Sequence, residues 1–144
     1  MKRYAKAVWK GDGMTGTGTL DTTSGALSAL PYSFKARFQN EDGRQGTNPE
    51  ELIGAAHAGC FAMALSFALG NAGFTAEQLE VEAAVNIEKL DAGFAITGIA
   101  LALTARVPGI DASRFAEIAQ EAKANCPVSK ALSATPISLD AKLG

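Results

Sequence analysis

From Leu52 to Leu69 the sequence runs LIGAAHAGCFAMALSFAL, eighteen residues with no Asp, Glu, Lys or Arg. Its start is unusually legible. Asn48 suits an N-cap, Pro49 the first helical position, and Glu50 and Glu51 the positive end of a helix dipole. A helix is therefore expected from Pro49 to about Asn71, with Gly73 as its stop. Length alone would allow a membrane span. However, the run is rich in Ala, Gly and Ser, carries His57, starts at two glutamates and lacks a flanking basic cluster. A helix that is apolar nearly all round belongs in the middle of a soluble fold, buried by other elements.

The rest of the chain supplies those elements. Residues 3–9 and 15–22 read as strands joined by the Gly11-Asp12-Gly13 turn. The spelling GxGxxG from Gly11 to Gly16 is not a dinucleotide fingerprint, because Thr15 to Thr23 is β-branched and glycine-broken where a helix is needed. Residues 31–39 read as a third strand, with Tyr32, Phe34, Ala36 and Phe38 alternating with Ser33, Lys35 and Arg37; a polar loop over 40–47 follows. Val81, Ala83, Val85 and Ile87 alternate in a fourth strand. Asp91-Ala92-Gly93 makes a hairpin turn, and a fifth strand covers 94–107 with a bulge at Gly98. Asp111 caps a shorter amphipathic helix whose apolar face holds Phe115, Ile118, Ala119 and Ala122. That helix ends at Asn125, since Cys126 precedes Pro127. A short helix from Pro127 and a last strand over 136–143 complete the chain. The expected fold is one α+β domain over 1–144, an antiparallel sheet packed on a long buried central helix.

Bulk properties narrow the function. A net charge of −2 and pI near 5.4 offer no surface for nucleic acid or an anionic membrane. The segment from Met1 to Ala7 alternates instead of forming an apolar run, so no secretory signal is expected and the expected compartment is the cytoplasm. One His and two separated Cys give no metal-ligand spacing, so no metal is expected.

In a reducing compartment two cysteines are either buried inert thiols or redox chemistry. Cys60 falls mid-helix, where the dipole helps a thiolate little, so a reactive Cys60 needs a fixed cation close by. Cys126 falls at a turn between two helices, expected to be solvent-accessible and more mobile. The pair suits a guarded attacking thiol and a resolving thiol, while two structural cysteines remain the plainer alternative. His57, three residues before Cys60, either assists the thiol or is a satisfied core histidine.

The run from Asn48 to Cys60 resembles the active-site helix of the osmotically inducible protein C / organic hydroperoxide resistance (OsmC/Ohr) family. Asn125-Cys126-Pro127-Val128-Ser129-Lys130 resembles that family's second-cysteine motif. Gly93-Phe94-Ala95-Ile96-Thr97 and Val107-Pro108-Gly109-Ile110-Asp111 also match, so the likeness covers nearly the whole chain. The resemblance implies an intertwined homodimer and a thiol-dependent peroxidase. The hydroperoxide-resistance branch carries its catalytic arginine in the N-terminal glycine-rich segment, which here has none from Gly11 to Thr19. The osmotically inducible branch carries it in a stretch resembling Tyr32-Ser33-Phe34-Lys35-Ala36-Arg37-Phe38, which makes Arg37 the partner of the thiolate. Glu50 matches the family carboxylate that holds the arginine, although helix capping explains Glu50 equally well.

On that resemblance Cys60 attacks an organic hydroperoxide, becomes a sulfenic acid, and condenses with Cys126 to a disulfide. A dithiol reductant of lipoyl type then regenerates the pair, and no prosthetic cofactor is needed. Phe38, Phe61, Met63 and Phe67 are the expected apolar substrate pocket. The alternatives are a stress-induced structural or small-molecule-binding dimer with incidental cysteines, and a general dithiol oxidoreductase, whose usual C-x-x-C is missing here.

Overall fold

The computed structural model describes residues 1–40, 43–44 and 46–144; Glu41, Asp42 and Gln45, within the polar loop expected over 40–47, lie outside the described residues. The chain divides into two compact units, Met1–Leu52 and Ile53–Gly144.

The N-terminal unit is built on an antiparallel sheet of β1 (Ala5–Lys10), β2 (Thr17–Thr22) and β3 (Leu30–Ser33). The β1–β2 turn is an Asx-type arrangement. The Asp12 carboxylate accepts the N–H groups of Met14 and Thr15 at 2.8 Å each and the Thr15 hydroxyl at 2.5 Å. Gly18 lies where no other residue fits, since a Cβ there would stand 2.4 Å from the Tyr32 ring and 2.8 Å from Trp9. Those two rings therefore close over it, 5.3 Å between centroids.

The third strand is shorter than the alternation predicts. It stops at Ser33, whose side chain caps helix α1 (Phe34–Phe38) by accepting the Ala36 N–H at 3.1 Å. A run as short as 31–39 satisfies both periods, because Phe34 and Phe38 are also i and i+4 of a helix. They stack on one helical face, 4.9 Å between centroids, and the Ser33 cap decides between the two.

Helix α2 (Pro49–Asn71) runs as expected. Its first turn closes the N-terminal unit, with Asn48 Oδ1 accepting the Glu51 N–H at 2.8 Å. Its C-terminus closes on Gly73 at φ +88°, with the Phe74 N–H bonded to the Leu69 carbonyl.

In the C-terminal unit, β4 (Gln78–Leu90), β5 (Gly93–Arg106) and β6 (Ile137–Leu143) form the second sheet in that order. The β4–β5 hairpin carries a bulge one residue before the expected Gly98. Asn86 faces Gly98 while Ile87 faces Ile96, leaving Thr97 unopposed. The β5–β6 pair is parallel, which corrects the all-antiparallel expectation. The reason lies in the connection: helices α3 (Ala112–Asn125) and α4 (Pro127–Ala131) carry the chain back across the sheet before β6 starts. One core holds Phe61, Leu65 and Leu69 of α2, Ile99, Leu101 and Leu103 of β5, and Phe115, Ile118, Ala119 and Ala122 of α3.

The central helix is buried on one face rather than all round. Gly54, His57, Phe61, Leu65 and Leu69 are buried, at the three- and four-residue steps of one stripe, whereas Ala55, Ala56, Gly59, Met63 and Phe67 are exposed. Gly54 lets α2 come down on β4, for a Cβ there would sit 3.0 Å from the Ala83 carbonyl oxygen. Burial of the opposite face was expected from its apolar composition. None of the described residues covers it, and Met63 and Phe67 are 65% and 69% exposed.

Candidate active site

The two cysteine motifs meet. Cys60, on the flank of the buried stripe of α2, and Cys126, between α3 and α4, have their Sγ atoms 3.1 Å apart although 66 positions separate them in the chain. Both are free thiols. Cys126 is fully buried and Cys60 partly buried, the reverse of the expected exposures. The inward turn of Cys126 has a sequence signal that motif reading overlooked. It continues the apolar face of α3 one helical step beyond Phe115, Ile118, Ala119 and Ala122.

Their surroundings differ in sign. Burial pushes the Cys60 thiol above its ordinary value, against a lowering by the Val128 N–H, and the neighbouring Cys126 adds to the rise. Burial pushes the same way at Cys126. There the Ser129 N–H, the Cys60 thiol, the Ser129 hydroxyl and the Val128 N–H outweigh it, and the Cys126 thiol lies below its ordinary value. Within this cluster negative charge is favoured on Cys126 over Cys60.

The N-terminal unit holds a cation in an ion pair of its own. Arg37 of α1 grips Glu50 with a two-point fork, Nη2 to Oε1 at 2.6 Å and Nε to Oε2 at 3.2 Å. The Glu50 side chain is 8% exposed and that of Arg37 35%. Capping of α2 falls instead to Asn48, while Glu51 accepts the Thr47 hydroxyl at 2.6 Å, so Glu50 is left to the arginine. The guanidinium lies 4.8 Å from the centroid of the Phe38 ring. Trp9, Tyr32, Ser33, Phe34, Arg37 and Phe38 line a cleft of about 300 Å³.

The other expected pocket residues part company. Phe61 is fully buried in the core, while Met63 and Phe67 stand on the uncovered face of α2. His57 is a core residue whose Nε2 lies 2.8 Å from Ser129 Oγ. Ser129 belongs to the second-cysteine motif, but nothing in the sequence paired it with His57, 72 positions away. Among the described residues no group of His, Cys, Asp and Glu has the arrangement of a metal site.

Comparison with known proteins gives the context of this geometry. Residues 40–142 match the family described as OsmC-like protein. The chain is 56% identical over 141 residues to the peroxiredoxin OsmC of Escherichia coli (strain K12), covering 98% of this chain and 96% of that protein. It is 33% identical over 116 residues to the organic hydroperoxide resistance protein OhrB of Bacillus subtilis (strain 168), across 79% of this chain and 80% of that one. The crystal structure of OhrB of Bacillus subtilis matches with a TM-score of 0.68 at 25% identity, covering 98% of each chain. An OsmC-like protein from Mycoplasma pneumoniae matches with a TM-score of 0.75, covering 99% of this chain and 97% of that one; at 17% identity this concerns the fold alone.

Proposed function

We propose, since this chain belongs to the OsmC/Ohr family, that it is a cysteine-based peroxidase reducing organic hydroperoxides through Cys60 and Cys126. The observation that carries this reading is the 3.1 Å approach of two free thiols from opposite halves of the chain. A reduced pair at that separation needs only a small adjustment to reach disulfide geometry.

The cycle runs in three steps. The Cys60 thiolate attacks the distal oxygen of the hydroperoxide. An S–O bond forms, the O–O bond breaks, and the alkoxide takes up a proton and leaves as an alcohol. The sulfenic acid on Cys60 then condenses with Cys126, forming the S–S bond and releasing water. An external dithiol of lipoyl type reduces the disulfide by exchange in the cytoplasm, so only thiol chemistry is used.

Arg37 is the cation that Cys60 lacks, held in place by Glu50. On one regular helix Glu50 and Cys60 are about 15 Å apart along the axis, so the pair serves Cys60 of a second subunit. An isologous dimer brings two α2 helices together on the face of Ala55, Ala56, Gly59, Met63 and Phe67, and small residues there permit close approach. Phe38, Met63 and Phe67 then surround an alkyl group, with Phe61 backing Cys60 from the core. This favours organic hydroperoxides over hydrogen peroxide.

The test compares Cys60→Ser and Cys126→Ser in peroxide consumption with a dithiol, using a tertiary alkyl hydroperoxide and hydrogen peroxide. Cys60→Ser should abolish turnover. Cys126→Ser should allow one oxidation and then accumulate sulfenic or over-oxidised Cys60. Normal turnover by Cys126→Ser, or higher efficiency with hydrogen peroxide, would refute the respective assignment.

A further inference from the structure

His57 is the chain's one histidine, it is wholly buried, and the cycle above gives it no part. Its ring bridges two distant segments. Nε2 lies 2.8 Å from Oγ of Ser129, which is 6% exposed, and Nδ1 has no partner among the described residues. Ser129 follows Cys126 by one helical turn at the start of α4, and Cys126 Sγ lies 3.1 Å from Cys60 Sγ. His57 also precedes Cys60 by nearly one turn of α2. Even so, its hydrogen bond goes to the Cys126 side of the pair.

The proton on the ring can be placed. Burial lowers the His57 pKa, so the ring is neutral and carries one N–H. On Nδ1 that proton would be a buried donor with no acceptor. On Nε2 it meets the Ser129 oxygen and leaves only a lone pair unmet, the less costly of the two. With Nε2–H donating to its oxygen, the Ser129 hydroxyl is free to send its own proton elsewhere. One helical turn earlier in the chain lies the buried Cys126 sulfur, a group that could receive it, and the Ser129 hydroxyl favours negative charge there.

We infer that His57 and Ser129 govern the resolving step: His57 Nε2 holds the Ser129 oxygen so that the Ser129 O–H donates to Cys126 Sγ and stabilises the attacking thiolate. This rests on the reading of Cys126 as the resolving thiol. On this reading Ser129 acts on the reacting sulfur, and His57 acts through Ser129 as a positioning residue. In the step itself Cys126 Sγ attacks the sulfenic sulfur of Cys60. The S–S bond forms, the S–O bond breaks, and the hydroxide that leaves takes up the proton given up by Cys126 to become water. The chain Nε2–H to Oγ–H to S⁻ prepares the attacker and leaves the first chemical step to Cys60 and its cation.

The experiment is a single turnover. Reduced wild type, Ser129→Ala, His57→Leu and His57→Gln are mixed with one equivalent of an alkyl hydroperoxide. Sulfenic acid is trapped with a 1,3-dione probe at intervals, and disulfide is scored by mass. The ratio of disulfide-forming rate to sulfenic-acid-forming rate should fall about tenfold in Ser129→Ala and in His57→Leu, the loss of one net hydrogen bond. His57→Gln, whose amide can donate from the place of Nε2, should recover most of that ratio. An unchanged ratio in Ser129→Ala overturns the inference, and so does His57→Gln falling as far as His57→Leu, since only the packing of the ring would then matter. Ser129→Ala removes one hydroxyl without adding bulk, so it decides the matter even if His57→Leu does not fold. If wild type forms no disulfide, the peroxidase cycle itself is overturned, and this inference with it.

Discussion

Substituting Arg37 by Met keeps a long apolar stem and removes the fork that grips Glu50. The structure sets the size of the effect. The carboxylate is 8% exposed and holds the guanidinium through bonds of 2.6 and 3.2 Å, so it is left nearly unsolvated when the arginine goes. Breaking a buried pair from one side costs roughly 3–5 kcal/mol, and because the Arg37 side chain is 35% exposed the low end applies, about 3 kcal/mol. Glu50→Gln should cost less, about 1.5 kcal/mol, because the stranded guanidinium reaches water and keeps the Phe38 face 4.8 Å away. The double variant leaves no stranded charge, so the two single effects should exceed the double by about 2 kcal/mol. Urea titration followed by circular dichroism measures this cycle. It must be run at one fixed chain concentration, since the stability of the proposed dimer depends on it. Raising salt from about 0.05 to about 0.5 M should change the coupling little, because a buried pair is poorly screened. A coupling under about 0.5 kcal/mol that vanishes in salt is the signature of an exposed surface pair, and would refute the buried-fork argument.

Two further outcomes are expected. Mixing inactive Cys60→Ser subunits with inactive Glu50→Ala subunits should restore hydroperoxide turnover once they exchange, because one of the two shared sites is then intact; proven exchange without recovery, or a monomer in solution, rules out the shared site. At low pH the β1–β2 turn should hold below the usual carboxylate range. The Thr15 hydroxyl, then the Thr15 and Met14 N–H groups, lower the Asp12 pKa from 3.8 to about 2, so this contribution is complete above pH 3.8 and is lost as pH falls through about 2. Amide shifts of Met14 and Thr15 should follow that lower midpoint and stay flat in Asp12→Asn; a midpoint near 3.8 would show that the carboxylate is not held.

Much of the scaffold is readable without coordinates, and the readable parts share one property. The Asn48 cap, Pro49 and Gly73 around α2, the Asp111 cap of α3 and the stop before Pro127 all act within one helical turn. The β4–β5 hairpin is legible for the same reason, and so is its bulge to within one residue, at Thr97 beside Gly98. Where a short segment satisfied two periods, as residues 31–39 did, one hydrogen bond from Ser33 made it a turn of helix, and Arg37 moved from a strand to α1 with it. That shift is local too, but a single bond outweighs a pattern only when the pattern is short.

Outside residues 31–39 the sequence by itself determined which segments become helices and strands, and it singled out two cysteines, one arginine and one glutamate as candidates for chemistry. Tertiary structure decided the pairings and the exposures. An α2 apolar all round carries no signal for which face meets the sheet, so the stripe of Gly54, His57, Phe61, Leu65 and Leu69 is selected by packing on β4, β5, α3 and α4. Cys126 turned inward because the α3 face continues through it, and β6 ran parallel to β5 because two helices intervene. The 3.1 Å between Cys60 and Cys126 and the 2.8 Å between His57 and Ser129 join residues 66 and 72 positions apart. Local propensities act over a few residues, so distances of that kind exist only once the core has closed around them.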